Sequence, residues 1–115
     1  MVKREALTVQ FVGSGDAFGS GGRLQTCISI MGVNGHLIVD CGASSLIGMR
    51  KINLDLNSID VIAITHFHGD HSSGLAFFLY HEIKVSRRKR PLTVAGPVGI
   101  KDHCDALMSL LFPGA

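Results

Sequence analysis

A chain of 115 residues is long enough to bury a real core and too short for two domains. Only 17% of its residues are charged, against a usual ~25%, and the mean hydropathy is +0.33; this suits strands covered on both faces, and equally a half-domain that has lost the partner covering it. No apolar run reaches the ~18 residues of a membrane span, and a net charge of +2 admits an anionic substrate without demanding one.

Met1-Val2-Lys3-Arg4-Glu5 is followed by no long apolar segment or small-residue cleavage site, which argues against a signal peptide and for the cytoplasm. Leu7 to Val12 alternates apolar and polar residues and reads as a strand. Gly13 to Gly22 then holds so much backbone freedom that it must be a loop, either flexible or bent tightly. It is not a dinucleotide fingerprint: the third glycine falls one place late, and Thr26 to Ile30 favours a strand rather than a helix. A loop lining the rim of a site is the better reading.

Asn34-Gly35, between Ile28–Met31 and His36–Val39, predicts a hairpin. Its second strand ends in Asp40-Cys41-Gly42, where a carboxylate is placed either to orient a metal-bound histidine or to bond its own backbone in a turn. Ser44 or Ser45 caps a helix over Leu46 to Ile52. Asn57 to Asp60 leads into the apolar run Val61 to Thr65.

Directly after that run stands His66-Phe67-His68-Gly69-Asp70-His71, with four metal-ligand side chains in six residues. On an extended chain His66, His68 and Asp70 point the same way and His71 turns in beside them. Imidazole nitrogen and carboxylate oxygen suit Zn(II) and its first-row neighbours, and a carboxylate beside a histidine can serve a second ion about 3.5–4 Å from the first. A histidine-rich polar turn is the bland alternative, and the density of ligands after an apolar strand argues against it.

Ser72-Ser73 opens a helix from Gly74 to about Val85, with Leu75, Phe78, Leu79 and Ile83 at helical spacing. His81 on that helix is expected to be core-packed or partly exposed rather than a ligand. Arg87-Arg88-Lys89-Arg90 is a solvated turn by default and a phosphate contact by alternative. Pro91 to Ala95 reads as a strand, Gly96 to Gly99 as a turn and Ile100 to Leu111 as a helix, on which His103 and Asp105 do not share a face. Cys27, Cys41 and Cys104 form neither a disulfide framework nor a metal clip and are expected as small buried residues, with Cys41 approaching the metal as the alternative.

Strand, glycine-rich loop, hairpin ending in Leu37-Ile38-Val39-Asp40-Cys41-Gly42, and Ile62 to His71 followed by Ser72-Ser73-Gly74-Leu75 resemble, in that order, the N-terminal half of the metallo-β-lactamase superfamily. Gly69 to Leu75 and Pro91 to Ile100 look most like ribonuclease Z and its phosphodiesterase relatives. The resemblance implies an α/β fold, the αβ/βα four-layer sandwich, with residues 1–115 as its N-terminal half: one mixed β-sheet with flanking helices, the C-terminal half being absent. It implies that His66 and His68 bind one metal ion and Asp70 and His71 a second, as two Zn(II) or Mn(II) ions, with Asp40 as supporting aspartate and Asp70 also handling a proton.

A dinuclear hydrolase follows from the resemblance, in which a metal-activated water attacks a phosphodiester, RNA included; zinc can lower the pKa of its water to ~7. Two departures stand out. Ala76-Phe77 replace the Pro-Gly usual in ribonuclease Z, and the further histidine, bridging aspartate and last histidine that complete the family's site are not among these residues. Two other readings remain: a non-catalytic half-domain that pairs its exposed sheet with a second copy or another partner, and a hydrolase of the same fold acting on a thioester, sulfate ester or lactam.

Overall fold

The computed structural model describes residues 6–115, so the Met1–Glu5 stretch behind the signal-peptide reading lies outside the described residues. Five strands run in the order β1 (Thr8–Gly13), β2 (Cys27–Gly32), β3 (Gly35–Val39), β4 (Val61–Ala63) and β5 (Thr93–Ala95) across one sheet. The first three pair antiparallel, β1 with β2 across the glycine-rich loop and β2 with β3 across a tight turn, whereas β3, β4 and β5 pair parallel. Parallel neighbours need crossovers, and the helices supply them: α1 (Ser45–Lys51) between β3 and β4, then α2 (Gly69–Ser72) and α3 (Gly74–Lys84) between β4 and β5. The last helix, α4 (Ile100–Leu111), packs on α3.

The helices lie on one face of the sheet. Ile38 and Ile62, side by side in the β3–β4 register, are fully buried against Met49 of α1 and Leu75 and Phe78 of α3. Each such side chain contributes about 1.5–3 kcal/mol on leaving water. No helix among the described residues is long and apolar enough to cross a membrane.

The opposite face is bare. Register places Val9, Ile30, Leu37, Val61 and Thr93 in one row across all five strands, and Phe11, Ile28, Val39, Ala63 and Ala95 in the next. None of the ten carries a charge and none is buried; Phe11 is 66% and Val9 52% exposed. Strands apolar on both faces belong in a sheet covered on both, and here only one side is covered.

Four local expectations are corrected. The expected hairpin forms, β2 pairing antiparallel with β3, but its turn is Val33-Asn34, with Gly35 already in β3 opposite Gly32; neither Asn34 nor Gly35 has the positive φ that an Asn-Gly type I′ pair requires. Ser44 does stand at the N-cap of α1, but its hydroxyl accepts from the Gln25 amide at 2.8 Å instead of capping the helix. On α3, Ile83 is 53% exposed and Glu82 takes the buried position, because Arg88 reaches back to it at 3.2 Å. That arginine also bonds the carbonyls of Leu56, Ile59 and Pro91, while Arg90 pairs with Asp60. The basic run is therefore half structural, and only Arg87 and Lys89 remain as the solvated turn.

Candidate metal centre

Strands β3 and β4 end together, Val39 opposite Ala63, and in an open α/β sheet such carboxyl ends face the ligand crevice. Asp40 is the first residue beyond β3. Its amide still bonds the Ala63 carbonyl at 2.8 Å, and its φ of 62° is a left-handed conformation that Asp adopts more readily than most residues. The kink sends the carboxylate across to the next loop. There Oδ1 accepts from the Thr65 amide at 2.8 Å, and Oδ2 accepts from His71 Nδ1 at 2.8 Å. Of the two readings of Asp40, the contact with a histidine is thus the one found.

The motif does not stay extended. His68 is the last residue with extended torsions, after which α2 closes over Gly69–Ser72 and sets Asp70 and His71 on a helical turn. Ser72 drives this, being buried with its hydroxyl 3.0 Å from the Phe67 carbonyl and 3.1 Å from that of His68. The bend gathers the donors: the His66 ring centroid lies 4.8 Å from that of His68 and 4.2 Å from that of His71. His71 Nε2 lies 3.3 Å from Asp70 Oδ2. His68 is exposed, and His66, Asp70 and His71 are half-buried.

The fit of these residues to a divalent ion rests on donor chemistry and orientation. Three imidazoles and one carboxylate suit Zn(II) or Mn(II), and His71, committed through Nδ1 to Asp40, has only Nε2 left to ligate. Among the described residues no group of three His, Cys, Asp or Glu side chains converges to hold one ion. The donor set thus suits a divalent ion by its chemistry, without forming a closed cage of three or more ligands.

Backbone packing keeps this loop against the Asp40–Gly42 segment. The Cys41 amide bonds the His71 carbonyl at 2.8 Å, and the Gly74 amide bonds the Cys41 carbonyl at 2.9 Å. The glycine-rich loop joins the same rim, since Gln25 bonds the Ala17 carbonyl at 3.1 Å and accepts from the Ala43 amide at 2.7 Å. Asp16 curls that loop by accepting from the Phe18 and Ser20 amides and the Ser20 hydroxyl, and the Ser20 hydroxyl above all holds its carboxyl down to about 2.

Cys27 and Cys41 are fully buried in the core, where burial pushes the Cys27 thiol up to about 11 and Cys41 further; both are the small buried residues expected. Cys104 is only partly buried. His81 contacts Arg50 at 3.0 Å, away from the loop, and Asp105 pairs with Lys101 at 2.8 Å. His103 stacks on Phe67 and bonds Ser72 at 2.9 Å, bracing the loop from α4. Thr65, 2.9 Å from His66 Nδ1 and within 3.0 Å of both Asp40 oxygens, has no signal in the sequence beyond its place next to His66.

Fold and motif together define a metallo-β-lactamase fold, and the relatives that follow put it in the ribonuclease Z-like branch. A family model described as Anti-Pycsar protein Apyc1 matches residues 7–100, and the chain belongs to that family. It is similar to the ribonuclease Z of Alkaliphilus oremlandii, 38% identical over 102 residues that make up 89% of this chain and 32% of that protein. The ribonuclease Z of Borrelia hermsii is 34% identical over 104 residues, 90% of this chain and 33% of that one. The chain thus spans about a third of the length of the curated relatives it matches.

Among solved structures, human tRNase Z, short form, superposes with a TM-score of 0.75 and 31% identity over 93% of this chain and 39% of that one. The metallo-β-lactamase fold protein YhfI from Bacillus subtilis, at 18% identity and a TM-score of 0.68 over 84% of this chain and 40% of its own, shares the fold.

Proposed function

We propose that the intact protein is a dinuclear metal-dependent hydrolase of phosphodiesters, acting in the cytoplasm, with RNA the first substrate to test. The observation that carries this reading is the clustering of His66, His68, Asp70 and His71 over Asp40 at the carboxyl ends of β3 and β4. Relatives named ribonuclease Z and a solved tRNase Z support the bond class.

In this reading His66 and His68 hold one ion, Asp70 and His71 the other, and zinc or manganese supplies Lewis acidity and an acidified water at neutral pH. Asp40 accepts a hydrogen bond from His71 Nδ1, which leaves Nε2 as the nitrogen free to hold a metal on the Asp70 side. Asp70, whose Oδ2 faces His71 Nε2, accepts a proton as the reaction proceeds. The bare apolar face supports the further reading that residues 1–115 are the N-terminal half of a two-sheet domain whose second half covers that face and completes the ligand set.

Metal content and hydrolysis of a precursor transfer RNA and of a simple diester, measured on the intact protein and on His68→Ala and Asp70→Ala, test the proposal. Both variants are expected to lose metal and turnover together. Unchanged metal content and unchanged turnover in both would overturn it.

A further inference from the structure

We infer that Thr65 is a positioning residue that fixes which nitrogen of His66 is available to a metal, an inference that rests on the proposed metal centre. The Thr65 hydroxyl lies 3.0 Å from Asp40 Oδ1, 2.9 Å from Asp40 Oδ2 and 2.9 Å from His66 Nδ1. A hydroxyl has a single proton to give, whereas a carboxylate only accepts. The proton therefore goes to Asp40, and toward His66 the hydroxyl can only accept. Nδ1 of His66 must then be the nitrogen bearing hydrogen, which leaves the lone pair on Nε2.

Asp40 thereby orients two rings by two routes. It accepts a hydrogen bond from His71 Nδ1 directly at 2.8 Å, and it reaches His66 through the Thr65 hydroxyl. The Thr65 amide, bonded to Asp40 Oδ1 at 2.8 Å, locks the backbone from which the hydroxyl projects, and a β-branched side chain has few rotamers to wander through. The neighbouring His68 and His71 rings meet His66 ring to ring and offer no competing bond at Nδ1 among the described residues.

The test uses the intact protein, with Thr65→Val removing the hydroxyl at nearly constant shape and Thr65→Ser restoring it. In the metal-free protein with nitrogen-15-labelled imidazoles, His66 is expected to show its proton on Nδ1, and Thr65→Val to lose that preference. Zinc affinity is expected to fall about tenfold or more in Thr65→Val and to stay within roughly threefold of the parent in Thr65→Ser. A His66 proton found on Nε2 in the parent protein overturns the inference whether or not Thr65→Val folds. So does an unchanged zinc affinity in Thr65→Val when His66→Ala loses zinc. Unchanged zinc affinity in His66→Ala brings down the metal reading itself.

Discussion

Gly74 stands so close to Gly42 that a Cβ on it would fall 1.9 Å from the Gly42 carbonyl oxygen. The contact is between backbones, so no side chain can swing away to relieve it. A Cβ on Gly42 would in turn fall 2.3 Å from the Asp70 carbonyl oxygen, which places the metal loop, the β3 end and the start of α3 in one stack. Gly74→Ala is expected to destabilise the fold by about 1–3 kcal/mol or more through forced backbone displacement. Urea unfolding measures it, and Gly69→Ala, with nothing nearer than the Ser73 hydroxyl at 4.0 Å, is the control expected to cost little.

Arg88 and Glu82 form an ion pair at 3.2 Å with side chains only 6% and 4% exposed. Arg88→Ala strands a buried carboxylate and frees the carbonyls of Leu56 and Pro91, so it is expected to cost about 3–5 kcal/mol. The double change Glu82→Leu with Arg88→Met is expected to recover much of that loss, because a buried pair replaced by apolar residues is often neutral. A double-mutant cycle in urea decides the point; equal stability of parent and Arg88→Ala would contradict it.

This pair also shows where reading the sequence stops. The H-x-H-x-D-H donors are legible because they are contiguous, and the strands and α4 because their periodicity is local. Glu82 is hidden because its partner sits beyond the end of α3, in a run that looks like a solvated turn. Asp40 is visible as a strand-end carboxylate, but its choice between its own backbone and His71 depends on a contact 31 residues away and on a left-handed backbone. The motif's bend at Gly69 is hidden too, since alternation assumes an extended chain and the Ser72 hydroxyl pulls the backbone into a turn.

His36 is a buried histidine, its ring held 2.6 Å from the Ser29 hydroxyl and 2.8 Å from that of Ser58. Burial lowers its pKa from 6.5, outweighing the opposing pull of Asp60 and Asp55. The unfolded chain therefore binds this proton first, so the contribution of His36 is fully present above pH 6.5 and is lost progressively as pH falls below it toward the folded value. The urea midpoint is expected to drop between pH 7.5 and pH 5.5, and His36→Gln to flatten that slope; an equal slope in both proteins would assign the effect elsewhere.

The bare sheet face makes a prediction for these 115 residues taken alone. With Phe11 66% and Val9 52% exposed on an uncharged surface, the isolated chain is expected to bind an apolar dye and to self-associate at micromolar concentration. Val9→Lys with Phe11→Lys is expected to shift sedimentation toward the monomer. The intact protein, if a second sheet covers this face, is expected to bind no dye there; a monomeric, dye-silent isolated chain would speak against an uncovered half-domain.

Asp40 has two separable duties, one to the backbone and one to the rings. Its φ of 62° is tolerated by Asn at least as well as by Asp, whereas alanine in that conformation carries a strain of about 1–3 kcal/mol. Asp40→Asn can still accept the Thr65 amide through its carbonyl oxygen, but its amide group would face His71 Nδ1 with hydrogens of its own. His71 must then turn its lone pair toward the substituted side chain and present a protonated Nε2 to the Asp70 side. Asp40→Asn is accordingly expected to keep its thermal midpoint close to the parent's while zinc affinity falls about 10–100-fold, and Asp40→Ala to lose both. Calorimetry of zinc binding beside thermal unfolding separates the two duties, and parallel losses in both variants would mean that Asp40 serves the fold alone.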